Sequence, residues 1–90
     1  MKRVLKFALN QPSEHVFGID LPIGAEFMTA AYQGEMPQAW FLCPMDAKSD
    51  PRIFLIVGTG WEIHNKGEWK YLQTLFQGPY VWHLFELLEL

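Results

Sequence analysis

Turn-forming residues recur at short intervals along the whole chain, and their spacing limits the fold more than any other feature. Clusters rich in Gly, Pro, Asn and Ser lie at 10–13, 22–24, 34–37, 44–51, 58–60, 65–67 and 78–79. The segments between these clusters are too short for helices of ordinary length, but they match the usual length of β-strands. The spacing therefore predicts an all-β fold.

The segments between the turns alternate apolar and polar residues, as half-buried strands do. Leu5, Phe7 and Leu9 share one face of the first segment, so this face should point into the core. The segment 16–21 alternates in the same way. The seven predicted strands are Val4–Leu9, Val16–Leu21, Glu26–Gln33, Gln38–Cys43, Arg52–Val57, Trp69–Phe76 and Tyr80–Leu88.

Short connections predict β-hairpins at two places. Gly34–Pro37 joins the third and fourth strands, and Gln77–Pro79 joins the last two, where Gly78 can adopt a positive φ. Seven short strands in a single domain, 1–90, predict a small antiparallel barrel or a two-sheet sandwich. A helical turn at 85–90 is an alternative to strand there, because Leu and Glu favour helices.

The charge of the chain argues against nucleic acid as a partner. The net charge is −3, and the main basic cluster is Lys2, Arg3 and Lys6. Phosphate contacts require a larger basic face than these three side chains provide. The strongly apolar run at 53–57 is far too short to span a bilayer, so no membrane association is expected.

The single cysteine and the first residues together predict a cytoplasmic protein. Cys43 is the one cysteine, so an intrachain disulfide cannot form, which suits a reducing compartment. The opening residues, Met-Lys-Arg-Val-Leu-Lys-Phe, lack the continuous apolar run of a secretory signal. The cytoplasm is therefore the expected location.

Aromatic residues make up 16 % of the chain, which is high for a core of this size. Trp40 and Phe41 are neighbours and must face opposite sides of a strand, and Trp82 and Phe85 must also do so. Either a two-layered sheet buries both members of each pair, or some rings form an exposed patch for a partner. The residues predicted for such an interface are Trp40, Trp61, Trp69 and Trp82.

The Gly58-Thr59-Gly60 motif has two interpretations. Glycines on both sides of Thr59 would let backbone N–H groups approach a ligand phosphate, with His64 close by in the chain. The motif is not a P-loop, because it lacks a lysine and no helix is predicted to follow it. A bulge or sharp strand corner, where glycine supplies unusual φ values, is the favoured interpretation.

The histidines and the cysteine show no spacing typical of a metal or catalytic site. His15, His64 and His83 are too far apart in sequence for a local ligand pair, and Cys43 alternates with apolar residues as a buried side chain does. Glu62 and His64 are the one pair whose position suggests chemistry. We expect no enzymatic activity, no metal and no cofactor.

Several stretches together resemble a family of small phage and prophage proteins of unknown function. The matching pieces are Lys-Phe-Ala-Leu in the first strand, 22–26, 38–42, 52–60 and 80–86. The more specific parts are the strand that ends in Gly-Thr-Gly and the closing Val-aromatic-His-aliphatic-Phe-Glu. Members often carry a histidine soon after Gly-Thr-Gly, where this chain has Trp61, with His64 three residues later. The resemblance implies a phage or prophage product that acts in the bacterial cytoplasm.

The leading functional prediction is a non-enzymatic protein-interaction module, for example one that inhibits a host factor or a defence system. The aromatic excess and the acidic balance motivate it. A small-ligand or nucleotide-binding protein is the first alternative, and a structural component of the virion is the second. Exposed strand faces and sheet edges also predict a homo-oligomer, at least a dimer.

Overall fold

The computed structural model describes residues 1–89, and within that range the regular structure is entirely β. The strands are β1 (Lys2–Ala8), β2 (Phe17–Pro22), β3 (Glu26–Gln33), β4 (Met36–Pro44), β5 (Ser49–Gly58), β6 (Glu68–Gln77) and β7 (Tyr80–Glu89). All seven predicted strands are confirmed, as are both hairpins. β5 begins earlier than predicted, so the connection that precedes it is shorter than the polar segment 44–51 suggested.

The helical turn considered for the C-terminal segment is wrong for residues 85–89, which continue β7, and Leu90 lies outside the described residues. Phe85 pairs with Leu55 on one side and Tyr71 on the other, so β7 is hydrogen-bonded along both edges. These two ladders outweigh the intrinsic helix preference of Leu and Glu.

The strands form two antiparallel sheets, so the sandwich is confirmed and the closed barrel is not. One sheet has the order β1-β4-β3 and the other has the order β2-β5-β7-β6. Within residues 1–89, no helix has the length and the apolar character that crossing a bilayer requires.

The core lies between the inner faces of the sheets, where the predicted alternation places it. Phe41 of β4 is completely buried at its centre. The rings of Phe7, Phe27 and Phe54 meet it edge to face, with centroid distances of 5.8, 5.7 and 6.1 Å. Such edge-to-face contacts stabilise the core beyond the area that the rings bury, and the contact between Phe41 and Phe54 joins the two sheets. Leu21, Ile56, Leu75 and Leu84 complete the centre of this cluster.

The side chain of Gln73 joins the two sheets where their edge strands β3 and β6 approach each other. Its amide nitrogen donates to the carbonyl of Ala30 at 2.7 Å, and its oxygen accepts from the N–H of Ala30 at 3.0 Å. The hydroxyl of Thr29 donates to the same oxygen at 3.1 Å. Both strands have a register shift here, so one side-chain amide satisfies backbone groups that no neighbouring strand reaches.

The chain between β5 and β6 returns across the second sheet. β5 and β6 both pair antiparallel with β7 and therefore run parallel, so residues 59–67 must lead back to the opposite end. Leu55 and Val57 face away from the core yet are only 0 % and 4 % exposed. The indole of Trp69 donates to the carbonyl of Asn65 at 3.2 Å. The burial of Leu55 and Val57 shows that other residues cover this outer face, and the bond from Trp69 holds Asn65 of the returning segment at the start of β6.

Candidate interaction site

The Gly58-Thr59-Gly60 motif forms a tight turn at the end of β5. The N–H of Trp61 donates to the carbonyl of Gly58 at 3.1 Å, which closes a four-residue turn. Gly60 stands third in this turn with a φ of 88°, a value typical of type II turns that favours glycine. The motif therefore forms the sharp strand corner that the sequence favoured. This corner sets the direction in which Trp61 leaves the strand.

Trp61 folds back onto the end of the sheet because Gly58 has no side chain. A Cβ atom on Gly58 would lie 2.8 Å from the indole nitrogen of Trp61 and 3.0 Å from the ring of Trp82. The two indoles meet edge to face at 5.6 Å, with 75° between their planes. Tyr80 stacks on Trp82 with a centroid distance of 6.1 Å and 23° between the ring planes. We call Trp61, Tyr80 and Trp82 the aromatic cluster.

The aromatic cluster borders an open groove at one end of the sandwich. The groove has a volume of about 310 Å³ and is lined by Gly58, Thr59, Trp61, Pro79, Tyr80, Val81 and Trp82. Trp61 is 44 % exposed and Tyr80 is 60 % exposed. Trp82 is half-buried because it also packs against the core, and its indole donates to Gln77 Oε1 at 3.2 Å. The groove is therefore an apolar surface whose base, Trp82, is held by the core and by Gln77.

An acidic hollow also lies next to Trp61. It has a volume of about 350 Å³ and is lined by Trp61, Ser13, Glu14, Glu62 and His64. Glu62 Oε2 lies 3.5 Å from His64 Nε2, and both side chains are mostly exposed. Trp61 thus lines both the aromatic groove and a hollow that contains two carboxylates.

A line of hydrogen bonds crosses the outer face of the second sheet at the same end. Thr59 Oγ1 lies 2.7 Å from His83 Nε2, and His83 Nδ1 lies 3.0 Å from Thr74 Oγ1. The hydroxyl of Thr74 in turn lies 2.7 Å from that of Tyr71. Thr59 and His83 belong to the two motifs that carried the sequence resemblance. The structure thus brings these motifs into contact and fixes the threonine side chain of the turn.

The opposite end of the interior contains an ion pair that is complete within the chain. Arg52 donates from Nε to Glu86 Oε2 at 2.6 Å and from Nη2 to Glu86 Oε1 at 2.9 Å. Its third nitrogen donates to the carbonyl of Ala25 at 2.6 Å, and its guanidinium lies 5.6 Å from the ring centroid of Phe41. The hydrogen bonds to Glu86 raise the pKa of Arg52 above its ordinary value, against the opposing effect of burial.

The four tryptophans predicted for an interface do not share one surface. Trp61 and Trp82 are in contact, whereas Trp40 lies on the outer face of the first sheet, paired with Lys6. Trp69 is half-buried near the start of β6, at the far end of the second sheet. Trp61 and Trp82 are therefore the two predicted interface residues that the structure brings into contact.

The residues considered for ligand binding or chemistry divide in a similar way. Gly58 and Thr59 line the aromatic groove, while His64 lines the acidic hollow. Cys43 is 1 % exposed in the first sheet, away from the exposed Glu62 and His64, and burial raises the pKa of its thiol. Within residues 1–89, no group of three or more His, Cys, Asp or Glu is arranged to hold a metal ion.

Sequence reasoning missed several residues of this site, although the signal was present for some. Tyr80 is two positions before Trp82, so strand alternation places both rings on one face. Arg52 and Glu86 occupy inward positions on otherwise apolar strands, which is a signal for a buried ion pair. The hydrogen bond between Thr59 and His83 has no local signal, because it depends on the pairing of β5 with β7.

Comparison with known proteins identifies one family and no individual relative. Residues 1–89 match the family model described as "Domain of unknown function (DUF7352)". The chain matches no curated protein and no solved structure. The predicted resemblance to a family of unknown function is confirmed at this level, while the phage origin and the family motifs stay predictions.

Proposed function

Because the chain belongs to the DUF7352 family, whose function is unknown, we propose from its surface geometry that it is a non-enzymatic protein-interaction module. The groove beside the aromatic cluster is the proposed contact surface. Tryptophan and tyrosine are the residue types that dominate binding energy at protein interfaces. Trp61 and Tyr80 present large rings to solvent while Trp82 anchors them to the core.

The exposure of Trp61 is the observation that carries this proposal. A tryptophan that served only the core would be covered, yet 44 % of this residue is accessible. Two glycines are needed to place it there, one to turn the chain and one to leave room for the ring. The local backbone is thus arranged around an aromatic side chain that remains largely available for contact.

The biological setting of the proposal comes from the sequence resemblance. We assign the chain to the small accessory proteins of phages and prophages, acting in the bacterial cytoplasm. In that setting the partner is a host protein, and occupation of its surface inhibits a host factor or a defence system. Self-association into at least a dimer through exposed apolar surface is part of the same proposal.

Affinity capture from host lysate with matched variants tests the proposed surface. The tagged protein, Trp61→Ala and Met28→Ala would be compared by quantitative mass spectrometry. Met28 is 51 % exposed on the first sheet, so it controls for the loss of an exposed apolar side chain elsewhere. We expect a specific partner that Met28→Ala retains and Trp61→Ala loses. Equal capture by all three proteins would refute the groove as the contact surface.

A small ligand is a second candidate occupant, because the structure brings Gly58 and Thr59 to the same groove as three aromatic rings. Stacked rings suit a base or another flat molecule. Native mass spectrometry of the purified protein would reveal a retained small mass, which would favour this candidate. The same spectrum reports the subunit number, and a ring or larger symmetric assembly would favour a structural role in the virion.

A further inference from the structure

We propose that the groove and the acidic hollow together bind an arginine side chain of the partner protein, whose guanidinium stacks on Trp61 and pairs with Glu62 or Glu14. This inference rests on the proposed function and names the chemistry of the partner. The two hollows form one composite site, because Trp61 lines both of them.

Charge complementarity selects a cationic occupant. Among residues 1–89, the ionisable side chains that line the two hollows are Glu14, Glu62 and His64. Two carboxylates beside an exposed indole produce a negative potential, and the face of the indole itself attracts cations. A phosphate or a carboxylate would meet like charge at the same place, so an anionic ligand is disfavoured.

The chain itself shows how an arginine satisfies such an environment. At the other end of the sandwich, the guanidinium of Arg52 lies over the ring of Phe41 and binds Glu86 through two nitrogens. Those contacts combine an aromatic face with a carboxylate, the same two elements that Trp61 and Glu62 offer to solvent. A partner arginine would thus reproduce at one end the contacts that an internal arginine makes at the other.

Arginine fits this composite site better than lysine for geometric reasons. The planar guanidinium can stack on an indole and still direct its N–H groups sideways toward a carboxylate. A lysine ammonium is more strongly hydrated and makes no such planar contact. The site should therefore bind arginine more tightly than lysine, and cationic side chains more tightly than neutral ones.

A titration followed by NMR tests the inference directly. Uniformly ¹⁵N-labelled protein would be titrated with a capped nine-residue peptide of alternating glycine and arginine. Matched peptides would carry citrulline or lysine in place of arginine, and citrulline retains the shape without the charge. The indole N–H signals of the four tryptophans report the site, with Trp40 and Trp69 as internal controls.

We expect saturable shifts of the Trp61 and Trp82 indole signals and none at Trp40 or Trp69. The citrulline peptide should bind about two- to five-fold more weakly, the effect expected for one cation–π contact at an exposed site. Trp61→Ala should abolish the response, and Met28→Ala should retain it. Glu62→Gln keeps every aromatic contact and should weaken binding about two-fold. This variant tests the site even if Trp61→Ala perturbs the fold.

Three results would overturn the inference. These are the absence of a saturable shift at millimolar arginine peptide, equal binding of the citrulline peptide, or shifts at Trp40 and Trp69 instead. If lysate capture still depends on Trp61, the proposed function survives and only the arginine chemistry fails. Arg3 is the second arginine of the sequence besides Arg52. If Arg3→Ala dissociates an oligomer and moves the Trp61 signal, a second copy of this chain supplies the arginine, which supports the arginine chemistry of the site.

Discussion

Both ends of the sandwich combine aromatic rings with carboxylates. At one end an arginine of the same chain contacts these groups, whereas at the other end the groups are exposed to solvent. At one end, Arg52 has a carboxylate, a carbonyl and an aromatic ring as partners, all from the same chain. At the other end, Trp61 and Tyr80 are exposed, and Glu62 beside Trp61 forms an exposed pair with His64 at 3.5 Å. β5 connects both ends, with Arg52 near its start and Gly58 at its finish.

This difference implies that the Arg52 end stabilises the fold, whereas the Trp61 end is available to bind a partner. Mutation of a partly buried, bidentate ion pair lowers the stability of the fold, because removal of either partner leaves a buried charge without its counter-charge. Exposed rings and exposed carboxylates contribute little to folding, but they are free to meet a partner. The contrast predicts that removal of the paired side chains at the Arg52 end affects stability, whereas removal of the exposed side chains at the Trp61 end affects binding.

Glu86→Ala should produce the largest loss of stability. It leaves the guanidinium of Arg52 partly buried without its carboxylate, and we expect a loss of about 3 kcal/mol in the free energy of unfolding. Urea denaturation followed by tryptophan fluorescence measures this change. Glu26→Ala is the matched control, because its pair with Lys2 spans 3.9 Å between exposed side chains. Similar losses in both variants would remove the contrast between the two ends.

Gln73→Leu should have the next largest effect and tests whether the two ends unfold together. It leaves the N–H and carbonyl of Ala30, which is 2 % exposed, without partners, at a cost of about 2 kcal/mol. Hydrogen exchange should then accelerate to the same degree in β5 at both ends. Gln33→Leu is the control, since its exposed side chain accepts one bond from Lys6. Faster exchange near Gln73 alone would show that the contact between β3 and β6 opens independently of the two ends of the sandwich.

Gly58→Ala should destabilise the Trp61 end by about 1–3 kcal/mol, because the new methyl group collides with two indoles. Gly18→Ala is a close control, since a Cβ there would lie 3.7 Å from its nearest neighbour. Trp61→Ala removes one of the two indoles in the way, so it should reduce the cost of the Gly58 change. A double-mutant cycle by urea denaturation measures that coupling. Additive effects would mean that Gly58 does not serve to seat Trp61.

Glu62→Gln should have the smallest effect on stability. Both members of its pair with His64 are exposed, so the expected change is below about 0.5 kcal/mol. Thermal or urea unfolding would show a midpoint close to that of the unmodified protein, although arginine-peptide binding weakens. A loss comparable to that of Glu86→Ala would indicate that this carboxylate serves the fold.

The strands were predictable because their signals are local. Leu5 and Phe7 on β1, like Phe17 and Ile19 on β2, alternate with exposed residues as the sequence predicted. The candidate site was predictable only in part. The glycine motif at 58–60 suggested a corner, but the sequence did not show that the corner would return Trp61 to Trp82, because β5 and β7 are far apart in the chain.

By itself the sequence determined the number and order of the strands, which of their faces point inward, and where two hairpins turn. These features depend on spacing, alternation and backbone preferences over a few residues. Only the tertiary structure decided that the strands form two open sheets joined by Gln73, and that Arg52 finds its counter-charge while Trp61 stays exposed. Those outcomes depend on which distant strands pair and in which register, which a local pattern does not contain.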